Sequence, residues 1–203
     1  MTGTAGPPLV VDWDGTATER DTLHMLIERF GDLDVFHAAE DAIGRRLTLN
    51  EVIAVEMRTV RATLDEAVDW LRANVHLRAG FAELVVERDP LVVSAGFHEL
   101  IEPVLDRHGI RARLVANRVE ARPEGWEAVF RPGVPCPVCG ERCKRDAVAG
   151  LDRFVFVGDG VSDRCVALLA ERVFARAGLA RWLDQQGVAY TSFEDFFEVA
   201  AIL

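Results

Sequence analysis

An α/β fold is predicted for this chain, with a parallel Rossmann-like sheet carrying a helical insert after its first strand. Three observations predict it. Short apolar runs at Leu9–Val11, Leu91–Val93 and Phe154–Val157 read as buried strands. Helical patterns separate them, and strand, crossover helix and strand in repetition make a parallel sheet with right-handed connections. The interval between the first two runs is too long for one crossover and carries helical periodicity over most of its length.

Taken in order, a strand is expected over 9–13, then a largely helical stretch from about 21 to 88. Leu23, Leu26, Ile27 and Phe30 recur at helical spacing, as do Val52, Val55, Val60 and Leu64, and then Ala67, Val68 and Leu71. Gly31 and Gly44 read as breaks between helices. Strand returns at 91–94, helix at about 97–108 with Gly109 as its stop, and strand at 112–116. Val119–Ala121 and Trp126–Phe130, joined by Arg122-Pro123-Glu124-Gly125, read as a β-hairpin. A helix from 144, a strand at 154–157, a helix at about 162–170, a strand at 172–175 and two terminal helical pieces complete the reading. Thr2–Pro8 reads as a short lead-in. The expected division is a core of residues 1–20 and 90–203, with a helical insert over 21–89.

Bulk properties narrow the function. The 203 residues suffice for one good core, and half of them are hydrophobic, which argues against disorder. A net charge of −10 argues against nucleic acid or an anionic membrane as partner. No apolar run reaches the roughly 20 residues of a membrane helix, and no secretory pattern opens the chain. Cytoplasmic localisation is the expectation, with the chain acting as monomer or homodimer.

The chemistry starts with Asp12-Trp13-Asp14-Gly15-Thr16-Ala17-Thr18, directly after the first apolar run. Gly15 and Thr16 turn the chain there, so both acids lie at the carboxyl edge of the sheet, where open α/β folds bind ligands. Two such acids repel unless a cation or a shared proton offsets them. Ser94 closes the second apolar run, Lys144 opens a helix, and Asp159 and Asp163 follow the run at 154–157 within Gly158-Asp159-Gly160-Val161-Ser162-Asp163.

These four motifs, in this order, resemble those of the haloacid dehalogenase superfamily of phosphatases. The insert position resembles its phosphoserine-phosphatase-like branch, which implies that residues 21–89 form a helical cap over the site; a dimerisation arm is the alternative. The resemblance implies a Mg2+-dependent phosphomonoesterase acting on a small phosphorylated metabolite through an aspartyl-phosphate. Asp12 is then the nucleophile and Asp14 the general acid and later base. Lys144 neutralises the transferring group, with Arg145 as an alternative for that role. Ser94, Ala95 and Gly96 bind a phosphate oxygen. Asp12, the Asp14 carbonyl and Asp159 match the metal ligands, and Asp163 matches a second acid of that motif, a direct ligand or one acting through water; helix capping is the plain alternative for Asp163. Asp21 is placed to read a substrate amine, and Arg58 or Arg61 a carboxylate, although solvated helix faces would explain all three.

Cys136-Pro137-Val138-Cys139-Gly140-Glu141-Arg142-Cys143 has a metal-like first pair and a short second spacing, and Cys165 is available as a fourth ligand. Zinc, reduced thiols and a disulfide all stay open. The cysteine loop ending in Cys143-Lys144, with Val173–Arg176 and Phe193–Phe197, resembles the methionine-salvage phosphatases acting on 2-hydroxy-3-keto-5-methylthiopentenyl 1-phosphate. The loop is also similar to that of phosphoethanolamine/phosphocholine phosphatases. The alternatives are phosphoserine or phosphoethanolamine/phosphocholine as substrate, or a non-catalytic phosphometabolite-binding relative.

Overall fold

Leu9–Val11 and Val155–Val157 are buried at every position, as strands covered on both faces must be. The computed structural model describes residues 6–203, so the Thr2–Ala5 part of the expected lead-in lies outside the described residues. The chain runs through β1 (Leu9–Val11), then helices α1 (Thr22–Phe30), α2 (Leu33–Glu40), α3 (Leu49–Met57), α4 (Leu64–Asn74) and α5 (Phe81–Arg88). There follow β2 (Leu91–Phe97), α6 (His98–Arg107), β3 (Arg113–Glu120), β4 (Glu127–Val129), β5 (Val155–Gly158) and α7 (Arg164–Ala167). β6 (Arg172–Ala175), α8 (Ala177–Gln186), β7 (Thr191–Ser192) and α9 (Phe196–Ile202) close it.

The sheet order is β4-β3-β2-β1-β5-β6-β7, parallel throughout except for β4 against β3. β1 is central, with β2 and β5 as its neighbours. The three strands that carry the motifs are therefore adjacent, and their carboxyl ends form one edge. One apolar layer, with Trp13, Phe81, Phe97 and Phe196, lies under α4–α6 and α9. The other is built from Val10, Phe156, Val173, Leu179 and Leu183 under α8.

The insert has two kinds of helix. α4 packs on α6 and α5 on α9, so both are covered by core helices. α2 packs on both α1 and α3, and each of the three sends side chains toward the carboxyl edge of the sheet. Thr48 and Thr63 start α3 and α4 with reciprocal capping boxes to Glu51 and Glu66, and Asp21 caps α1 through the His24 N–H.

Several expectations need correction. The strand expected at 112–116 continues to Glu120, so the hairpin's first arm is the end of β3 and only Glu127–Val129 pairs back. The helix from 144 is a single 3-10 turn, Lys144–Val148, and the helix over 162–170 shrinks to a 3-10 turn plus α7. β2 extends to Phe97, with a shift of register against β3 between Val93 and Phe97. β7 had no sequence signal, being two residues long. In α3 the buried face is Val52, Ile53, Glu56 and Met57, not the Val52/Val55 spacing read from apolar residues alone.

Candidate active site

β1 stops at Val11 because the next residues close a wide turn. Ala17 N–H donates to the Asp12 carbonyl at 3.2 Å and Thr18 N–H to that of Trp13 at 3.0 Å. Gly15 sits in the left-handed region at φ +72°, and a Cβ there would stand 2.5 Å from Asp159 Oδ2. The turn needs glycine for both reasons. From outside it is gripped by Arg78, which donates to the carbonyls of Thr16 (2.8 Å), Gly15 (2.8 Å) and Thr18 (3.0 Å).

Asp12 is 2% exposed and bonded to Lys144 Nζ. Lys144 also donates to Asp163 Oδ1 at 2.6 Å. The other Asp163 oxygen accepts the N–H groups of Asp159 and Gly160, each at 2.9 Å. Asp163 thus shapes the acidic loop and anchors the lysine; it makes no side-chain cap to α7. Thr16 Oγ1 donates to Asp159 Oδ1 at 3.0 Å. Carboxylate oxygens of Asp12, Asp159 and Asp163 all fall within 4.8 Å of one another.

Three acids around one ammonium leave a surplus of negative charge in a dry place. Burial, then Asp163, push Asp12 well above the usual carboxylate range, and burial with Asp163 also raises Asp159. Burial pulls Lys144 down, but Asp12 and Asp163 more than offset it and keep the ammonium charged. An all-oxygen donor set with surplus negative charge suits a hard divalent cation such as Mg2+.

Asp14 lies beside this cluster. Its Oδ1 accepts the backbone N–H of Thr22 at 3.0 Å and is bonded to the Thr22 hydroxyl; its Oδ2 accepts Ser94 Oγ at 3.1 Å. Burial, with help from Asp21, pushes its carboxyl up to about 6. Ser94 Oγ also accepts the Gly96 N–H at 2.8 Å, and Ala95 lines the adjoining space.

Asp12, Asp14, Asp159 and Ala95 open onto a cavity of about 280 Å³ whose far wall is Asp21, His24, Phe36, Glu40, Ile53 and Glu56. Phe36 stacks on His24 with ring centroids 4.4 Å apart. Glu56 is 4% exposed, its Oε1 has no hydrogen-bond partner, and burial with Glu40 and Asp21 lifts it to about 8. Ser94 and Lys144 also floor a neighbouring cleft of about 510 Å³ lined by Arg45, Arg46, Arg131, Arg142 and Arg164.

The geometry therefore gathers Asp12, Asp14, Ser94, Ala95, Gly96, Lys144, Asp159 and Asp163, with Asp21 on the opposite wall. It does not bring in Arg58, which is exposed at the end of α3, nor Arg61, whose guanidinium donates to the carbonyls of Arg58 and Val60. On a helix one face turns inward, and in α3 that face carries Glu56. Sequence reasoning also missed Arg78, Thr22, Phe36 and Glu40. Arg78 works on carbonyls some 60 residues away, and no local pattern marks such a contact.

Residues 9–168 match the family model for haloacid dehalogenase-like hydrolases. A 2-hydroxy-3-keto-5-methylthiopentenyl-1-phosphate phosphatase from an Exiguobacterium species is 25% identical over 96% of each chain. The protein of that name from Geobacillus kaustophilus is 28% identical over 94% of this chain and 92% of its own. A substrate-bound phosphoserine phosphatase structure superposes with a TM-score of 0.72 at 17% identity, covering 97% of this chain and 98% of that one, which speaks for the fold. Motif order, strand-edge placement and the match over most of the chain lead to one assignment: this protein belongs to the haloacid dehalogenase-like hydrolase family.

Proposed function

We propose that this chain is a Mg2+-dependent phosphomonoesterase of a small phosphorylated metabolite. The observation that carries it is the convergence of Asp12, Asp14, Ser94, Lys144 and Asp159 at the carboxyl ends of three adjacent strands. An Asp12 carboxylate oxygen attacks phosphorus, and the bond from phosphorus to the ester oxygen breaks. Asp14, whose carboxyl burial pushes up to about 6, gives its proton to the departing oxygen. The same carboxylate then takes a proton from the water that attacks the aspartyl-phosphate and frees Asp12. Ser94, Ala95 and Gly96 hold phosphoryl oxygens, and Lys144 keeps Asp12 oriented and balances charge. Asp12, the Asp14 carbonyl, Asp159 and Asp163 would hold the Mg2+. Bound there, it supplies the positive charge that lets an anionic nucleophile face an anionic phosphoryl group.

The cavity wall formed by α1–α3 bears on the substrate. Leu23, Phe36, Leu49 and Ile53 give it apolar area, and a protonated Glu56 is a hydrogen-bond donor. That combination suits the thioether chain and carbonyl of 2-hydroxy-3-keto-5-methylthiopentenyl 1-phosphate, the compound in the names of the curated relatives. A second reading is favoured by Asp21 and Glu40, whose carboxylates would attract the ammonium group of phosphoethanolamine or phosphocholine. Phosphoserine fits less well, because among the described residues no lysine or arginine lines this cavity to meet its carboxylate. Four free cysteines fit a reducing, cytoplasmic setting, with the chain as monomer or homodimer. Among the described residues no helix is long and apolar enough to cross a membrane.

The test is phosphate release from a panel of these esters, with Mg2+ and with EDTA, against Asp12→Asn. Mg2+-dependent turnover that disappears in the variant is expected, and the preferred ester ranks the readings. A folded, Mg2+-loaded protein that turns over no ester would overturn the enzyme reading in favour of a sensor.

A further inference from the structure

The segment between β4 and Lys144 runs from Phe130 to Cys143 with no helix or strand, and Val134 and Val138 in it are exposed. A loop that long needs something other than an apolar core to fix its shape. What it has is sulfur. Cys136, Cys139 and Cys143 meet Cys165 from the start of α7, and all four Sγ atoms lie within 4.8 Å of one another. None is in a disulfide. Four thiolates at the Zn–S distance of about 2.3 Å would sit about 3.8 Å apart at the corners of a tetrahedron. The cluster is close to that already, whereas a disulfide would use two sulfurs and strand the others.

The surroundings fit a metal–thiolate centre. The Cys136–Cys139 turn is closed by Gly140 N–H to the Cys136 carbonyl at 2.8 Å, with Gly140 at φ +75°. Within it the Val138 N–H points at Cys136 Sγ at 3.4 Å, a donor aimed at sulfur charge. Zinc with four thiolates has a net charge of about −2. Arg131, Arg142 and Arg164 share a cleft with Cys139, Cys143 and Cys165, and the Nε groups of Arg131 and Arg164 are buried without an acceptor.

We propose that these four cysteines hold a structural Zn2+ that positions the catalytic lysine. Cys143 is the residue before Lys144, and Cys165 is two residues after Asp163, so the ion ties the lysine's segment to the acidic loop. The same loop reaches the helical insert: Glu141 accepts the N–H groups of Leu49 and Asn50 at the start of α3, each at 3.0 Å. One metal would thus brace both sides of the site. The cysteines are positioning residues and touch no substrate.

Metal occupancy does not depend on the phosphatase reading, so the two can fail separately. The full chain, purified under reducing conditions without chelator, should contain about one zinc per chain. Replacement by Co2+ should give the intense near-ultraviolet sulfur-to-cobalt absorption of tetrahedral thiolate. Cys139→Ser, at the exposed corner, should lose the zinc while Asp159→Asn keeps it. Its kcat should fall about 10–100-fold with KM little changed, as expected for a displaced lysine. Four thiols freely reactive in the folded, metal-poor protein would overturn the proposal, as would iron in place of zinc. Zinc lost from Asp159→Asn but kept by Cys139→Ser would overturn it too. Full zinc loss with unchanged kcat would sink the positioning role.

Discussion

Glu56 is a buried acid on the inner face of α3, and Glu56→Gln turns its state into a measurable slope. The groups facing it are Glu40 and Asp21, both acidic, with His24 on the same cavity wall. Burial first and these acids second raise its carboxyl from 4.5 to about 8. The native state therefore holds the proton over a range in which the unfolded chain has released it. Glu56 contributes its full stability below pH 4.5, and that contribution is lost as pH rises to about 8. A whole proton taken up on folding gives about 1.4 kcal/mol per pH unit, which solvent screening at the partly open cavity discounts to about 1 kcal/mol. Glutamine keeps the shape of the protonated acid and does not titrate. The variant should match the natural protein near pH 4.5 and exceed it by about 3 kcal/mol at pH 8, or about 6–12 °C in Tm for a chain of this size. Denaturant unfolding of both proteins from pH 5 to 8, without substrate, reads the difference directly. Curves that stay parallel within about 0.5 kcal/mol would refute the reasoning, because Glu56 would then be ionised in the fold.

Substitutions at three positions probe the turn after β1 and its charge balance. Gly15→Ala puts a side chain at φ +72° against Asp159; a loss of about 1–2 kcal/mol in stability is expected, with a higher Mg2+ requirement in the activity assay. Arg78→Met removes the donors to three turn carbonyls and should lower kcat by about 10–100-fold with little change in KM, and Arg78→Lys should not restore it. Lys144→Met leaves Asp12 and Asp163 without the ammonium that both bond; denaturation in EDTA should show a loss of about 3–5 kcal/mol, partly recovered on adding Mg2+.

What was legible in the sequence follows from where the information is local. Apolar runs that end in a turn mark β1, β2 and β5, and each motif acid or hydroxyl comes right after or at the end of such a run. Because β2 and β5 flank β1, motifs some 80 and 140 residues apart fall together without any long-range signal being needed. The wall above the site was far less legible. Arg58 was the natural choice by charge, yet two residues along a helix is about 200° around it, and Glu56 holds the inward position. Apolar spacing hid this, since a buried acid breaks the pattern that defines the face. The extent of the short helices after Lys144 and Asp163 was misjudged for a related reason. Those segments are held by Asp163, by Lys144 and by the cysteine cluster, which periodicity does not record.

The charge count at the site has a consequence for the order in which ligands bind. When all three are ionised, Asp12, Asp159 and Asp163 outnumber the Lys144 ammonium by about two negative charges before any anion arrives. A phosphate ester brings up to two more, into a place where burial already penalises the carboxylates. The neighbouring arginine-lined cleft has none of the three acids in its lining, so its charge lies to one side of them. A divalent cation held by those acids should therefore favour phosphate, and phosphate should favour the cation by the same factor. Titration calorimetry of inorganic phosphate into Asp14→Asn should show binding about 10–100-fold tighter in Mg2+ than in EDTA, with Mg2+ affinity raised equally by phosphate. Equal phosphate affinity in both conditions would mean that Lys144 and the backbone donors suffice. The acidic cluster would then be a strut for the lysine, and the surplus charge would need another explanation.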